Sequence, residues 1–397
     1  MGFFLFLWYN VTIMELRSIK KAKHLLGQRI LLRVDFNVPV KNGLVLDNFK
    51  IQASLPTIKF LLHSGAKIIL VSHLGRPVKK EKKFSLLPVA KELQKLIGTK
   101  VCFNTLENRD CWEGEKIVML ENIRFYKGEE SNDLKFAKQL SQLADAFVLD
   151  GFAVAHRDSA SVSGVSKYLP SYAGLLLEKE VDGLSKVVLN PKQPMVVMLG
   201  GLKIETKLLI LKNLLPKANK VLLSGEIFNT FLWANGHGVG NSIIDKNLKK
   251  IVLTYLKNKK IVMPIDVVVG NDNGKNARVI FLDKKLNLKK DESIFDIGPK
   301  TVLLFAKYLK TAKSLIWNGA MGRFEQAPYH HGTYALVHLF ASRSKGKAFG
   351  VCGGGETVEI LRHLNILSEI DLVSTGGGAM LEFLSGKKLP GLKNLFK

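Results

Sequence analysis

The sequence predicts an α/β protein made of two doubly wound parallel-sheet domains, of the Rossmann-like type, joined by a hinge helix. Short runs rich in leucine and β-branched residues alternate with stretches of helical spacing, as expected for parallel strands and their crossover helices. This alternation pauses near Pro191 and Pro194 and then restarts. The length of 397 residues is sufficient for about two domains of ordinary size.

The first half contains four apolar runs that we predict to be buried strands. They occupy residues 29–34, 67–72, 117–120 and 146–150. Helical spacing connects them in residues 51–63, 86–97 and 134–143. The order of strands and helices therefore predicts one open parallel sheet.

The second half repeats the pattern, and we assign its strands to a second parallel layer. The predicted strands are residues 195–199, 220–224, 261–263, 267–269, 279–282, 314–317, 348–351 and 372–374. The predicted helices include residues 205–215, 227–235 and 300–309. Residues 172–188 predict one amphipathic helix between the halves, which Pro191 follows.

The formal charge of +25 indicates anionic partners. Nucleic acid, a membrane surface and a phosphorylated small molecule are all compatible with that charge. The lysines are scattered and not interleaved with aromatic residues, so we expect no nucleic acid as main partner. The apolar opening of residues 1–13 is shorter than the ~20 residues that span a bilayer, so we expect no membrane association.

The three cysteines, Cys102, Cys111 and Cys352, are odd in number and show no CxxC spacing. They predict neither a disulfide framework nor a zinc site, and they favour a reducing, cytoplasmic location. Met14 begins a sequence of ordinary soluble character, so we expect residues 1–13 to precede the true start.

Basic side chains follow the predicted strands of the first half, where ligands bind in an open parallel sheet. They are Arg33, Arg76, Arg124 and Arg157, accompanied by His73. The planar fork of arginine suits bidentate contact with carboxylate and phosphate. The sequence therefore predicts a pocket for a small acid that carries phosphate, although each arginine alone is compatible with a surface position, and His73 alone with a structural role.

Glycine-rich turns follow three strands of the second half and open helices, at residues 200–203, 353–357 and 374–378. Free backbone N–H groups at such helix starts form anion sites, so a polyphosphate cradle is favoured over simple tight turns. Lys203 and Lys207 lie one helical turn apart at a helix start, where the macrodipole disfavours each cation by roughly 0.3–1 kcal/mol. A bound phosphate would reverse that preference. If the lysines simply lie on a solvent-exposed face of the helix, the preference stays unfavourable.

Seven motifs occur in order: RVDFNVP, SHLGRP, ENIRF, AHR, GGLK with a second lysine, WNGAMGRFE and STGGGA. Together they resemble phosphoglycerate kinase from about Leu16 to the C-terminus. The resemblance implies reversible in-line transfer of a phosphoryl group from 1,3-bisphosphoglycerate to Mg-ADP, giving 3-phosphoglycerate and ATP, in a cleft closed by domain motion. The resemblance also implies a monomer with two domains, in which residues 14–173 bind phosphoglycerate and residues 191–383 bind nucleotide. Residues 174–190 are implied to form the interdomain helix, and residues 384–397 to return to the first domain.

The resemblance assigns the site residues individually. Those around phosphoglycerate are Asp35, Asn37, His73, Arg76, Arg124 and Arg157. Those toward the nucleotide are Gly201, Lys203, Lys207, Gly225, Asn318, Glu325, Gly353, Gly354, Gly355, Glu356 and Thr357, with Gly376, Gly377 and Gly378 opposite the transferring phosphoryl group. Lys203 and the last three glycines are implied to be catalytic.

Three positions depart from the family pattern. Lys50 stands where the family has arginine, so it keeps the charge and loses the fork, and we expect it to act as a catalytic cation. Glu356 stands where the family has the aspartate that implies a Mg²⁺ ligand, and it is longer by one C–C bond of about 1.5 Å. Glu226 replaces a glycine beside the adenine. These departures leave a catalytically weakened binding or regulatory protein as the alternative.

Overall fold

The computed structural model describes residues 15–108, 112 and 114–396, and it divides into two compact units. Of the described residues, unit 1 contains those up to Val181 and those from Lys388 onward, and unit 2 consists of Asp182–Lys387. The expectation for residues 1–13 lies outside the described residues. Among those described, no helix is both long and apolar enough to cross a membrane.

Unit 1 is built on a six-stranded sheet in which every pairing is parallel, in the order β5-β6-β4-β1-β7-β8. Its strands are β1 (Arg29–Arg33), β4 (Lys67–Val71), β5 (Cys102–Asn104), β6 (Ile117–Leu120), β7 (Ala146–Leu149) and β8 (Ser171–Ala173), and β2 (Val40–Lys41) and β3 (Leu44–Val45) form a separate hairpin. Its helices are α1 (Phe49–His63), α2 (Leu87–Ile97), α3 (Leu134–Ser141) and the start of α4 (Leu175–Val188). All four strands predicted in the first half are confirmed.

Two elements of unit 1 differ from the sequence-based expectation. The predicted helix 172–188 begins only at Leu175, because Ser171–Ala173 pairs with β7 as an edge strand. Cys102–Asn104 forms a short strand that the apolar pattern did not indicate. Cys102 is also disulfide-bonded, which the cysteine number and spacing did not predict.

Unit 2 contains a second six-stranded parallel sheet, in the order β11-β10-β9-β15-β16-β17. The strands of unit 2 are β9 (Met195–Leu199), β10 (Lys220–Leu223), β11 (Ile261–Val262), β12 (Asp266–Gly270), β13 (Arg278–Phe281), β14 (Ser293–Ile297), β15 (Ser314–Asn318), β16 (Phe349–Gly353) and β17 (Leu372–Ser374). Its helices are α5 (Ile204–Leu214), α6 (Gly225–Ala234), α7 (Lys249–Tyr255), α8 (Pro299–Thr311), α9 (His331–Arg343), α10 (Gly355–His363) and α11 (Gly378–Leu384). Two doubly wound parallel sheets are thus confirmed.

The assignment of residues 267–269 and 279–282 to that parallel layer is wrong. Both runs belong to a separate antiparallel sheet, β13-β12-β14. Residues 263–265 and 271–277 are the only connections before and after β12. Because a parallel connection needs about a dozen residues or more, these short connections exclude parallel pairing between consecutive strands.

The tail after α11 packs within unit 1. The Arg17 N–H donates to the Leu395 carbonyl at 2.7 Å, and the Gly391 N–H donates to the Ala155 carbonyl at 2.8 Å. Leu392 and Leu395 are buried. Helix α11 ends at Leu384 in unit 2, and the residues grouped with unit 1 begin at Lys388.

The start of α4 is fixed to unit 1 by a buried aspartate. Asp150 Oδ1 accepts hydrogen bonds from the Thr57 hydroxyl at 2.8 Å and from the Leu176 N–H at 2.9 Å. The Leu175 N–H donates in turn to the Thr57 hydroxyl at 2.9 Å. Burial raises the pKa of Asp150 to about 7, so the carboxyl group takes up a proton far more readily than an exposed one.

We predict that Asp150→Asn removes part of the pH dependence of stability. The raised pKa means that the wild-type contribution is complete below the ordinary aspartate pKa and is lost as pH rises through about 7. The wild-type advantage over the variant in urea unfolding should therefore fall by roughly 2–3 kcal/mol from pH 5 to pH 8. The exposed control Asp283→Asn should show no such change, and a constant difference for Asp150→Asn would contradict the prediction.

Candidate active site

The first candidate binding site lies in unit 1, at the edge of the sheet formed by the carboxyl ends of β1 and its neighbours β4 and β7. β1 lies between these two strands, where the winding of the sheet changes direction. Ligands of open α/β sheets bind in the crevice at such a switch point. The residues that follow these strands, with Lys50 of α1, are therefore described first.

Arg33, at the end of β1, is turned into the protein and not toward this crevice. Only 2% of it is exposed. Its Nε donates to the Ser161 hydroxyl at 2.8 Å, and that hydroxyl donates to Glu129 at 2.7 Å. The remaining guanidinium nitrogens contact the carbonyls of Val34 and Val71 and the ring of His73. The expectation that Arg33 binds substrate therefore finds no support in its geometry, because protein groups already engage its donors.

Asp35 and Lys50 form a close ion pair, with 2.5 Å between Oδ2 and Nζ. Lys50 lies in the first turn of α1, where the helix dipole disfavours a cation, and Asp35 compensates for it. Burial alone would raise the pKa of Asp35, but the Lys50 ammonium outweighs it and the pKa is lowered. Asp35 therefore remains a carboxylate that holds the Lys50 ammonium at the edge of the sheet.

His73 presents one ring nitrogen as a donor. Its Nδ1 lies 3.4 Å from Arg33 Nη2, which can only donate, so the proton of the neutral ring belongs on Nε2. Burial lowers the pKa of His73 well below its usual value; Asp35 opposes the shift, and Arg33, Arg124 and Arg157 add to it. The ring is therefore a neutral hydrogen-bond donor at physiological pH.

Arg76, Arg124 and Arg157 place three cationic groups close enough to affect one another. Burial lowers the pKa of Arg124, and Arg157 and Arg76 lower it further against the opposing carboxylates of Glu130 and Glu129. Arg124 Nε lies 3.1 Å from Glu130, whose side chain is 66% exposed. Arg157 Nε is buried with no hydrogen-bond partner among the described residues. Such a cluster favours an anion that satisfies several guanidinium groups at once.

Asn37 and Gly75 join the first two loops of this edge. The Gly75 N–H donates to Asn37 Oδ1 at 2.9 Å, and the Gly75 carbonyl accepts from Arg124. Gly75 has φ +62°, and a Cβ there would lie 2.5 Å from the ring of Phe84. The sequence-predicted residues Asp35, Asn37, His73, Arg76, Arg124 and Arg157, with Lys50, are thus brought to one region of unit 1, and Arg33 lies beneath them.

In unit 2 the corresponding switch point lies between β9 and β15. The loops after these strands touch through glycine, since a Cβ at Gly319 would lie 2.2 Å from the Gly200 carbonyl oxygen. The loop after β10 joins them, because a Cβ at Gly225 would lie 2.6 Å from the Gly201 nitrogen. Both Gly319 and Gly225 have positive φ, so no other residue fits these contacts without strain.

Lys207 is buried beside these loops, with only 6% exposed. Its ammonium donates to the Asn318 side chain, whose amide nitrogen donates to the Gly353 carbonyl at 2.6 Å. Burial lowers the pKa of Lys207 to about 8; Glu356 and Glu226 oppose the shift and Lys203 adds to it. Thr357 is buried too, and its hydroxyl accepts from the Gly319 N–H at 2.9 Å. Asn318 and Thr357 therefore position the glycine loops and Lys207.

Glutamates stand on both sides of the Gly200–Gly201 turn. Glu226 Oε2 accepts a hydrogen bond from the Lys203 N–H at 2.7 Å. Glu356 Oε2 would lie 2.3 Å from a Cβ at Gly201, so its carboxylate packs directly on that turn. Lys203 itself is exposed and has φ +68°, which makes it the left-handed cap before α5.

A cavity of about 690 Å³ opens at this edge. Of the sequence-predicted residues, Gly201, Gly225, Glu325 and Glu356 line it. Leu202 of the predicted turn and Glu226, the noted departure from the family pattern, also line it. Its other walls were not predicted, and they include Phe228, Ile243, Phe295, Asp296 and Phe324. Apolar rings and glycine turns thus share one cavity, as is typical of small-molecule sites.

Asp296 is the most unusual of the unpredicted wall residues. It is 2% exposed, and it accepts from the N–H groups of Gly332 at 2.7 Å and Ile297 at 2.9 Å. Burial raises its pKa to about 8. It lies on β14, a strand that the apolar pattern did not predict, and recognising that strand would have been the signal for it.

The third predicted glycine turn lies before α11. The Gly376 N–H donates to the Ser374 hydroxyl at 3.0 Å, and Gly377, with φ +48°, is the N-cap. Nothing lies within 4 Å of a Cβ at Gly377, so this turn is open. The turn at Gly353–Gly355 opens α10 in the same way, with Gly354 as its N-cap.

Glu356 is the one predicted metal ligand. Among the described residues no group of three His, Cys, Asp or Glu could hold a metal ion. Mg²⁺ is usually bound by one or two carboxylates, with substrate phosphates and water completing the shell. A half-buried carboxylate on the wall of the cavity fits a metal that arrives with a polyphosphate, and it does not fit a metal held by protein alone.

Comparison with known proteins gives one consistent result. A family model for phosphoglycerate kinase matches residues 19–387. The chain is 42% identical to the phosphoglycerate kinase of Borreliella afzelii, over 97% of this chain and 100% of that protein. Among solved structures it resembles phosphoglycerate kinase from Coxiella burnetii, with a TM-score of 0.86 and 37% identity over 96% of this chain and 99% of that chain. For the enzyme from Pyrococcus horikoshii the TM-score is 0.83 and the identity 30%, over 96% and 98% of the two chains.

We predict that Lys207→Met changes how stability responds to alkaline pH in the ligand-free protein. A lysine whose pKa is lowered to about 8 destabilises the fold while it is charged. Wild-type stability relative to the variant should therefore rise by roughly 2 kcal/mol from pH 7 to pH 10 in urea unfolding. Lys212→Met, an exposed position on the same helix, serves as the control. A difference that stays constant or falls would mean that the buried ammonium is fully compensated.

Proposed function

This chain belongs to the phosphoglycerate kinase family, and from that premise we propose which of its residues hold each reactant. Its activity is glycolytic phosphoryl transfer, in which the acyl phosphate of 1,3-bisphosphoglycerate and ADP give 3-phosphoglycerate and ATP. Because the relatives are named phosphoglycerate kinase, an active enzyme is favoured over the alternative of a catalytically weakened binding or regulatory protein. The assignment of residues below is the proposed part.

Unit 1 binds the phosphoglycerate. The observation that carries this proposal is the cluster of Arg76, Arg124 and Arg157, whose charges disfavour one another until an anion lies between them. The neutral His73 adds an N–H donor, and Asn37 orders the loop of Gly75. Arg33 is left out of the ligand set and positions His73.

Unit 2 binds the nucleotide. The glycine turn before α10 offers backbone N–H groups to phosphate, and Lys203 and Lys207, which follow the turn after β9, supply charge. The apolar part of the cavity, with Phe228 and Phe324, suits the base. Asn318 and Thr357 act by positioning Lys207 and the turns.

Mg²⁺ is proposed to arrive with the nucleotide and to meet the protein at Glu356. When bound, it neutralises charge on the phosphates. The protein contributes a carboxylate directed at the Gly201 turn, and lysines that do not depend on the metal. A cytoplasmic location, a monomeric state and the absence of nucleic-acid and membrane partners also stay proposals.

Transfer itself asks the protein to align the reactants and to neutralise spreading charge. Lys50, held by Asp35, is the proposed cation at the transferring phosphoryl group. Of Gly376–Gly378, Gly377 and Gly378 at the start of α11 would offer N–H groups to the same charge, while the Gly376 N–H donates to Ser374. Domain closure that brings the two substrates together and excludes water is proposed as part of the cycle.

Ligand binding by isothermal titration tests this division of substrates. Arg124→Gln should weaken the binding of 3-phosphoglycerate by about tenfold or more, since it removes a charged hydrogen bond to that ligand. The affinity for Mg-ADP should change less than twofold. Lys203→Ala should do the reverse. If both variants weakened the same ligand, or neither weakened any, the assignment of the two sites would be wrong.

We predict that Lys50→Ala lowers kcat by on the order of 10²-fold, because a cation at the transferring group contributes mainly in the transition state. Lys50→Arg should be neutral or faster, since arginine supplies charge and a fork, and it can still pair with Asp35. Binding of 3-phosphoglycerate should change less than kcat. Lys59→Ala, exposed on the same helix, is the control, and an unaltered kcat in Lys50→Ala would show that another cation acts there.

A further inference from the structure

Glu226 is fixed beside the glycine turn of unit 2 by its own backbone. It follows Gly225, which packs against the Gly201 nitrogen at a distance that only glycine allows. The Glu226 N–H donates to the Gly201 carbonyl at 3.1 Å. The start of α6 is therefore bound to the turn, and the Glu226 side chain has a set origin close to it.

The Glu226 carboxylate occupies a backbone donor at the start of α5. Its Oε2 accepts from the Lys203 N–H at 2.7 Å, and Lys203 is the residue before the first helical residue, Ile204. Free N–H groups at a helix start attract anions, and here a side-chain carboxylate is the anion. The same carboxylate raises the pKa of the buried Lys207 ammonium against the effect of burial, so it also supplies that lysine with negative charge.

Glu226 shares its cavity with the groups that would meet a nucleotide. Gly201, Leu202, Gly225 and Glu356 line that cavity together with it. A phosphate that approached the Lys203 N–H or the two lysines would meet this negative charge at short range. Two like charges a few ångströms apart near a protein surface repel each other more strongly than they would in bulk water, because the effective dielectric constant there is lower.

We propose that Glu226 is a resident counter-anion that competes with the phosphates of the nucleotide and sets its affinity. The inference rests on the proposed nucleotide site and names the residue that limits binding there. In the ligand-free protein the carboxylate holds the Lys203 N–H and offsets part of the lysine charge. On binding, the phosphate takes over those contacts and the glutamate side chain turns away.

The competing explanation is that Glu226 contacts the base or ribose of the nucleotide. The two explanations differ in which part of the ligand responds to the substitution. Competition with phosphate affects ADP and pyrophosphate and leaves adenosine unchanged. Contact with the base or ribose affects ADP and adenosine and leaves pyrophosphate unchanged.

The test is the dissociation constant of ADP, pyrophosphate and adenosine for the wild type, Glu226→Gln and Glu205→Gln, measured by competition titration at low ionic strength. Glutamine keeps an oxygen that can accept from the Lys203 N–H and removes only the charge. Glu226→Gln should lower the dissociation constants of ADP and pyrophosphate by about tenfold, and this gain in affinity should become smaller as the salt concentration rises. Adenosine should change less than twofold. Glu205→Gln removes the same charge from the exposed first turn of α5 and should leave all three constants unchanged.

Unchanged or weaker binding of ADP and pyrophosphate to Glu226→Gln overturns the inference, as does an effect that adenosine shares. Glu226→Asp keeps the charge on a shorter side chain, and thermal unfolding of the free variants checks that both are folded. Lys203→Ala and Lys207→Ala separate this inference from the proposed function. If the two lysine variants bind ADP more weakly while Glu226→Gln does not bind it more tightly, only the role of Glu226 as a counter-anion is wrong. If the lysine variants bind ADP as the wild type does, the proposed nucleotide site and this inference both fail.

Discussion

Both candidate binding sites, at the carboxyl ends of the two parallel sheets, are constrained by the same feature. Each contains buried positive charge with too few carboxylates beside it. In unit 1, the Arg124 side chain is 6% exposed, and its one direct ion-pair partner among the described residues, Glu130, lies mostly in solvent. In unit 2, Lys207 is equally buried and donates to a neutral amide. Removing cations from water is costly unless they are paired, so each edge is most stable with an anion bound. The chemistry of phosphoryl transfer needs the same charges.

Close backbone packing is what allows these charges to face a ligand. Glycine at the ends of β9, β10 and β15 lets three loops meet without side chains between them, and N–H groups such as those of Gly200 and Gly201 donate to carbonyls of the loop after β15 or of its last residue. Asn318 and Thr357 then use their polar atoms to hold the loops. Charge on side chains and dipoles on backbone are thus fixed before any reactant binds, as preorganised catalysis requires.

Much of this could be predicted from sequence, because strand periodicity and the residues after each strand follow directly from it. Arg33 shows the limit, since its burial on Ser161 and Glu129 depends on a segment far along the chain. The antiparallel sheet was missed although the short connections around β12 contained the information. Glu226 was recognised as a departure from the family pattern, but its bond to Lys203 depends on the packing of Gly225.

Hydrogen exchange of the wild-type protein with each substrate separately tests most directly whether the two edges hold different reactants. With 3-phosphoglycerate alone, exchange should slow in the segments around residues 35–37, 73–76 and 157, and stay unchanged around 200–207. With Mg-ADP alone, it should slow around residues 200–207 and 353–357, and stay unchanged in the first set. Protection of the same segments by both ligands, or protection by 3-phosphoglycerate confined to unit 2, would contradict the account.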